Sequence, residues 1–533
     1  MAVGVRELRG RLAQDEGVRL KSDTGERRLA LRWLALLAGV AVAGIALRIW
    51  VYRSELGVPD SDEAVVGLMA LRLLDGEWTT FFWGQGFGGS QEALLTAPVF
   101  WVAGPSWLAL RLVPILLTAA AALVVWRVGR RTIGEPAATI AGCLAWIWPP
   151  FVIHRLTHQY GFYASGLLYS ALLLLVGLWL VERPTRARAG AFGLVLGLAL
   201  WQSAQVLPVA AGVIVWTILK QQAWLRHVWV AVLLVIIGAL PSIVWNARHD
   251  WGSFESTIEN TTTYAHRLRI FVSPLLGMLL GLRTPYTQER LLPAVATFAA
   301  YAALAALFVY GAWRARYRTS SLLYVVAAVF PFVYAAAPQT LFSQEPRYLI
   351  VLTPVLTLLI AQLATSYWRG VVVLATALAI SVATLERMET YVREVPAQPP
   401  KAPRDLGPLV STLDELGLDR VYADFWLSYR LTFETDERII AAQSKLERVG
   451  VVNGDAIPAR HPFIRYRPYE RLVESDRHGF VFFRSSLEEG ADRTPGPQAE
   501  ARAEQLQTFV AELRRLGYSS VEVEPFVVLA PGA

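Results

Sequence analysis

Residues 190–219 read GAFGLVLGLALWQSAQVLPVAAGVIVWTIL, and the architecture turns on how often this stretch crosses a bilayer. As one helix it would run about 45 Å, too long for a hydrocarbon core of about 30 Å, yet it is short for two. Its middle, Trp201, Gln202, Ser203, Ala204, Gln205 and Pro208, is a polar break. Arginine decides between the readings, because Lys and Arg of short loops stay on the cytoplasmic side. Two short helices put Arg183, Arg186 and Arg188 on the same side as Lys220 and Arg226. Arg127, Arg130 and Arg131, then Arg314, Arg316 and Arg318, then Arg369, fall on that side too. A single span would put the later clusters outside.

The composition agrees with a membrane chain. Of 533 residues 54% are hydrophobic and 17% charged, against about 25% charge in a soluble domain, which excludes a soluble enzyme. Apolar runs lie at 34–47, 107–126, 137–153, 162–181, 228–245, 291–313, 322–337, 349–364 and 371–385. With two spans from 190–219 the expected count is about eleven. At about 20 residues each they absorb roughly 220 residues and leave a modest soluble remainder. The segment 1–28 is polar and basic and runs into the first span without a small-residue cleavage pattern, so that span reads as a signal anchor with 1–28 on the cytoplasmic side. The odd count then places the loops 52–104, 246–290 and 337–346, and everything after about Glu389, outside the cell.

The expected organisation is an α-helical polytopic membrane protein: a transmembrane domain over 29–390, a linker over 391–404 and an extracytoplasmic α/β domain over 405–533. The linker carries Pro396, Pro399, Pro400 and Pro403. In the tail, helix-like stretches (409–416, 503–516) alternate with strand-like ones (420–425, 479–483, 520–528). All but four of the 50 basic residues are arginine, which fits a GC-rich bacterial genome, and most of them sit in short loops. The net charge of +7 is therefore a topology signal, with no nucleic acid as partner. The lone Cys143 lies in an apolar run, which excludes a disulfide framework and a cysteine-rich metal site.

The first outer loop carries Pro59-Asp60-Ser61-Asp62-Glu63-Ala64-Val65-Val66-Gly67-Leu68. Ser61 or Asp60 can cap a short helix beginning near Asp62, with acids in the first turn where the helix dipole favours them. Acids at a helix start are ordinary in structural terms. Here they follow the first span, where a carboxylate can meet a lipid-borne substrate at the membrane surface. Adjacent helical residues point about 100° apart, so Asp62 and Glu63 cannot both face one cavity and one of them is structural. Asp60, Asp62 and Glu92 could also hold Mg²⁺ or Mn²⁺ through oxygen ligands. Glu345-Pro346-Arg347-Tyr348 opens a late span on the same side, and its arginine could form paired hydrogen bonds to a phosphodiester. His154, Arg155, His158, Tyr160 and Tyr163 read as interfacial polar residues, with His158 or Tyr160 in a minor substrate contact. Gly84-Gln85-Gly86-Phe87-Gly88-Gly89 satisfies a dinucleotide-binding pattern but follows no strand of a βαβ unit, so it carries no such reading.

The phrase from Pro59 to Gly67, the phrase Gly88-Gly89-Ser90-Gln91-Glu92-Ala93 before Pro98, and Pro346-Arg347-Tyr348 together resemble motifs of the C-type membrane glycosyltransferases, the group of protein O-mannosyltransferases and aminoarabinose transferases. The segment from Val421 to Thr435 is similar to the tail domain of bacterial members. The resemblance implies the C-type glycosyltransferase fold and a polyprenyl-phosphate sugar as donor. It implies that Asp62, with Glu63 and Glu92, serves catalysis, that Arg347 and Tyr348 bind the donor phosphate, and that the anomeric centre is inverted. Where many relatives carry Lys-Pro-Pro after the second acid, this chain has Ala93-Leu94-Leu95, so that lysine is not carried over. The expected partners are the donor, a cell-envelope acceptor (glycan, lipid or protein) and the bilayer. A transporter or flippase, or a ligase of lipid-linked glycans, is the rival class. Transporters usually place ionisable groups near the midplane, whereas these apolar runs are almost free of Asp and Glu.

Overall fold

The computed structural model describes residues 2–254, 262–337, 343–394, 402–444, 449–452, 455–458, 464–487 and 497–532. Pro396, Pro399 and Pro400 of the expected linker lie outside the described residues, as do parts of the expected outer loops 246–290 and 337–346. Each expected apolar run is helical. Five helices are long and apolar enough to cross a membrane: Arg28–Arg53, Trp107–Thr132, Tyr163–Glu182, Ala294–Ala315 and Tyr367–Glu394. Two bent pairs, Ala137–Ile147 with Pro150–Leu156 and Ala204–Lys220 with Gln222–Gly238, raise the number to seven. The other runs lie in shorter helices such as Arg186–Gln202, Ser321–Ala336 and Arg347–Ala361.

Proline explains one of the bends. Pro149 and Pro150 cannot donate to the carbonyls one turn back, so the third apolar run breaks by 56°. The polar groups freed there need partners, because hydrocarbon offers none. Arg48 supplies one from the first span. It donates to the carbonyls of Trp146 at 3.1 Å and Gly44 at 2.9 Å while lying 3.7 Å over the Trp146 ring. Ser381 donates to the Ile147 carbonyl at 2.8 Å.

The stretch 190–219 folds as two helices, Arg186–Gln202 and Leu207–Lys220, joined by the single turn Ala204–Val206. Gln202 donates to the Gly161 carbonyl and to Ser165 Oγ, both at 2.8 Å, at the start of helix Tyr163–Glu182. Arg188 reaches the Trp179 carbonyl near that helix's other end, and Gly177 there faces Val213 and Thr217. The chain thus runs up and back along its neighbour, as the arginine argument required. The basic clusters gather at one end: Arg131 and Arg188 pair with Glu182, and Lys220 donates to the Arg316 carbonyl at 3.0 Å. The 52–104 segment packs at the opposite end through helices Ser61–Leu74 and Gln91–Ala103.

The tail builds strands β1 (Arg420–Ala423), β2 (Ile440–Gln443), β3 (Val449–Val452), β4 (Asp455–Pro458), β5 (Gly479–Phe483), β6 (Ser519–Val523) and β7 (Phe526–Ala530). Five of them form a mixed sheet in the order β2-β1-β5-β7-β6. The expected strand 520–528 is two strands of a hairpin, because Pro525 cannot donate to a ladder and sits in the turn. The expected strand 420–425 stops at Ala423, where Asp424 accepts from Trp426 N and caps helix Phe425–Glu434. That helix lies on helix Ser61–Leu74: Phe433 packs against Gly67 and Trp107, and Arg430 donates to the Pro59 carbonyl at 3.3 Å. One apolar core therefore joins the first loop to the tail domain.

Candidate active site

Asp60 is the N-cap of helix Ser61–Leu74, and its Oδ1 accepts from Glu63 N at 3.1 Å. Its other oxygen accepts the Tyr160 hydroxyl at 2.9 Å, so the cap also fixes the segment after the bent third run. The following two acids diverge as helical geometry demands. Glu63 turns inward. Both its oxygens accept from Arg111, with Nε to Oε1 at 2.9 Å, and the Gln159 amide donates to Oε1 at 2.8 Å. Glu63 is fully buried and paired with Arg111.

Asp62 turns the other way, and 29% of its side chain stays accessible. Arg465 of the tail domain approaches its Oδ1 at 3.4 Å. Burial pushes its carboxyl above the ordinary aspartate range and Asp60 adds to the rise, while Arg465, Arg155 and Arg347 oppose it. Arg155 lies 3.9 Å over the Tyr160 ring and 4.8 Å over Tyr163, and its buried Nε has no partner among the described residues. Arg347 pairs with the buried Glu345, and Tyr348 lies within electrostatic reach of Tyr163, Arg347 and Arg155.

His154 and His158, expected as interfacial polar residues, are buried. The reason is the bend after Trp148, which folds this segment beneath the first loop. His158 donates from Nδ1 to the His154 carbonyl at 3.0 Å and stacks on Tyr160. Tyr286 approaches His154 Nε2 at 3.4 Å. Glu92 is buried elsewhere: its Oε1 accepts from Ser165 N at 2.9 Å and Ser165 Oγ at 2.6 Å. Burial pushes its carboxyl up, and the Ser165 bonds oppose that rise. With Gln91 and Gln202 it forms a network tying the first loop to the polar break at residues 201–205. Among the described residues no group of three or more His, Cys, Asp or Glu side chains is placed to hold a metal.

Sequence reading did not single out Arg465 or Arg111. The signal for Arg465 was its setting, Arg465-Tyr466-Arg467-Pro468-Tyr469, an arginine and tyrosine cluster in a domain otherwise read only as α/β.

No family model matches the sequence, and no curated protein matches it. Solved structures do match. ArnT from Cupriavidus metallidurans in the apo state is 14% identical, with a TM-score of 0.56 over 93% of this chain and 98% of that one. ArnT from the same organism bound to undecaprenyl phosphate is also 14% identical, with a TM-score of 0.55 over 93% and 97%. An oligosaccharyltransferase of Archaeoglobus fulgidus in complex with Zn and sulfate is 12% identical, with a TM-score of 0.46 over 85% and 68%. The chain is a multi-pass membrane protein with an ArnT-like fold, the C-type glycosyltransferase fold with a mixed α/β domain at its carboxyl end.

Proposed function

We propose that the protein is a membrane glycosyltransferase that moves a sugar from a polyprenyl-phosphate donor to a hydroxyl or amine of a cell-envelope acceptor at the outer face of the membrane. The observation that carries this reading is accessible Asp62 with Arg465 at 3.4 Å, within the electrostatic reach of Arg155 and Arg347, at the end of an ArnT-like bundle opposite the basic clusters. Asp62 takes the acceptor proton as the acceptor atom bonds to the anomeric carbon. The bond from that carbon to the phosphate oxygen breaks, its electron pair leaves with the phosphate, and the centre is inverted. Arg155 and Arg347, with Tyr348, meet the charge that develops on the leaving group.

The remaining residues hold this arrangement in place. Glu63 anchors the helix through Arg111, Asp60 caps it and orients Tyr160 beside His158, and Glu92 ties the loop to Ser165. The amino terminus and the basic clusters are cytoplasmic in this reading, and the tail domain is outside. The test is release of free polyprenyl phosphate in step with appearance of sugar on the acceptor. Transport of an intact lipid-linked sugar without such release would reject the reading.

A further inference from the structure

We infer that the tail domain completes the site: Arg465 is a positioning residue that holds the Asp62 carboxylate, and the glycine-rich turn at residues 84–89 is the seat that receives it. The inference rests on the reading of Asp62 as the base. Arg465 is held from every side. Its Nη2 approaches Asp62 Oδ1 at 3.4 Å, its Nη1 donates to Gln85 Oε1 at 2.9 Å, and its guanidinium lies over Phe82 at 5.2 Å and Phe425 at 5.3 Å. Its backbone is fixed as well, because the amides of Arg465 and Tyr466 both donate to the Tyr429 hydroxyl, at 2.9 and 3.1 Å. Tyr466 then stacks on Trp83 with centroids 4.0 Å apart and donates to Glu77.

The turn explains its own glycine. A Cβ on Gly84 would stand 2.7 Å from Arg465 Cα, and its φ of +71° lies in the left-handed region that favours glycine. The dinucleotide-like pattern is thus a close approach between the first loop and the tail domain. A displacement of about 1 Å at a catalytic group can cost about 10²-fold in rate. A tail domain docked without Arg465 would therefore leave a folded protein with a loosely held base.

The full chain in detergent, as Arg465→Gln, Arg465→Lys and Gly84→Ala, tests this. Amide exchange over residues 62–66 and 84–89 is measured by mass spectrometry, beside affinity for undecaprenyl phosphate and lipid-linked sugar levels in cells carrying each variant. Arg465→Gln should keep its thermal midpoint and bind undecaprenyl phosphate within about twofold of the wild type. It should exchange about tenfold faster in both segments, the effect of one lost charge-assisted bond, and accumulate lipid-linked sugar as the deletion does. Arg465→Lys should recover much of the turnover, which a spacer role would not require, and Gly84→Ala should reproduce the exchange change without touching the guanidinium. Wild-type exchange together with wild-type turnover in Arg465→Gln would overturn the inference. Should the wild type fail to bind undecaprenyl phosphate or to alter lipid-linked sugars, the proposed function falls, and the exchange comparison still decides whether Arg465 holds the loop.

Discussion

Glu63 is the sharpest place to separate a structural acid from a catalytic one. Its side chain has no accessible area, its partner Arg111 keeps 2%, and the pair shares two hydrogen bonds. Glu63→Gln retains an oxygen for Arg111 Nε and for the Gln159 amide, but turns an amide N–H₂ toward Arg111 Nη2. It leaves a buried guanidinium with no countercharge and only the Gly57 carbonyl, at 3.0 Å, on its remaining arm. Removing one partner of a buried pair costs about 3–5 kcal/mol. Replacing both by Glu63→Leu with Arg111→Met should cost clearly less than the sum of the single changes, because no unpaired charge remains. Unfolding in detergent, followed by tryptophan fluorescence, reads the stability, and turnover of the folded fraction of Glu63→Gln should stay within about threefold of the wild type. A Glu63→Gln protein as stable as the wild type yet inactive would refute the reasoning and return Glu63 to the chemistry.

Arg155→Ala and Arg347→Ala should each weaken binding of undecaprenyl phosphate by about 1.5–3 kcal/mol, the worth of a hydrogen bond to a charged group; unchanged affinity in either would reduce that arginine to a helix-end anchor. Because burial raises the Asp62 carboxyl, kcat/KM should fall with decreasing pH at values above the ordinary aspartate range. Arg465→Gln, which removes a charge favouring the ionised form, should move that limb higher still, and a limb that does not respond would contradict the pairing. A reporter fused after Leu418 should be extracytoplasmic; activity of a cytoplasmic reporter at that point would overturn the orientation.

The helical runs were legible because long apolar stretches are a local signal, though five of them, or seven with the bent pairs, are long and apolar enough to cross where about eleven were expected, and the split at residues 201–205 followed from length, the polar break and arginine placement. Length was less legible. The break at Pro149 and Pro150 depends on Arg48 and Ser381, from the first and last spans, to take up freed carbonyls, and nothing near the break announces them. The hairpin turn at Pro525 is signalled only by the proline, because the residues on either side are uniformly strand-like. In the site, the helical angle between Asp62 and Glu63 correctly said that one of them turns away. Which one depends on Arg111, 48 residues downstream, and on Arg465, 403 residues away from Asp62. Glu92 stands out by motif, whereas its bond to Ser165, which in turn accepts from Gln202, belongs to a network that only the folded chain brings together.

The most direct measurement compares wild type and Asp62→Asn for release of free polyprenyl phosphate coupled to sugar transfer. Asparagine keeps the shape and removes the proton acceptor. The account predicts stoichiometric release by the wild type, and turnover lowered by roughly 10² to 10⁴ in the variant with folding and undecaprenyl phosphate affinity intact. Wild-type turnover in Asp62→Asn, or sugar-lipid movement with no polyprenyl phosphate released, would contradict it.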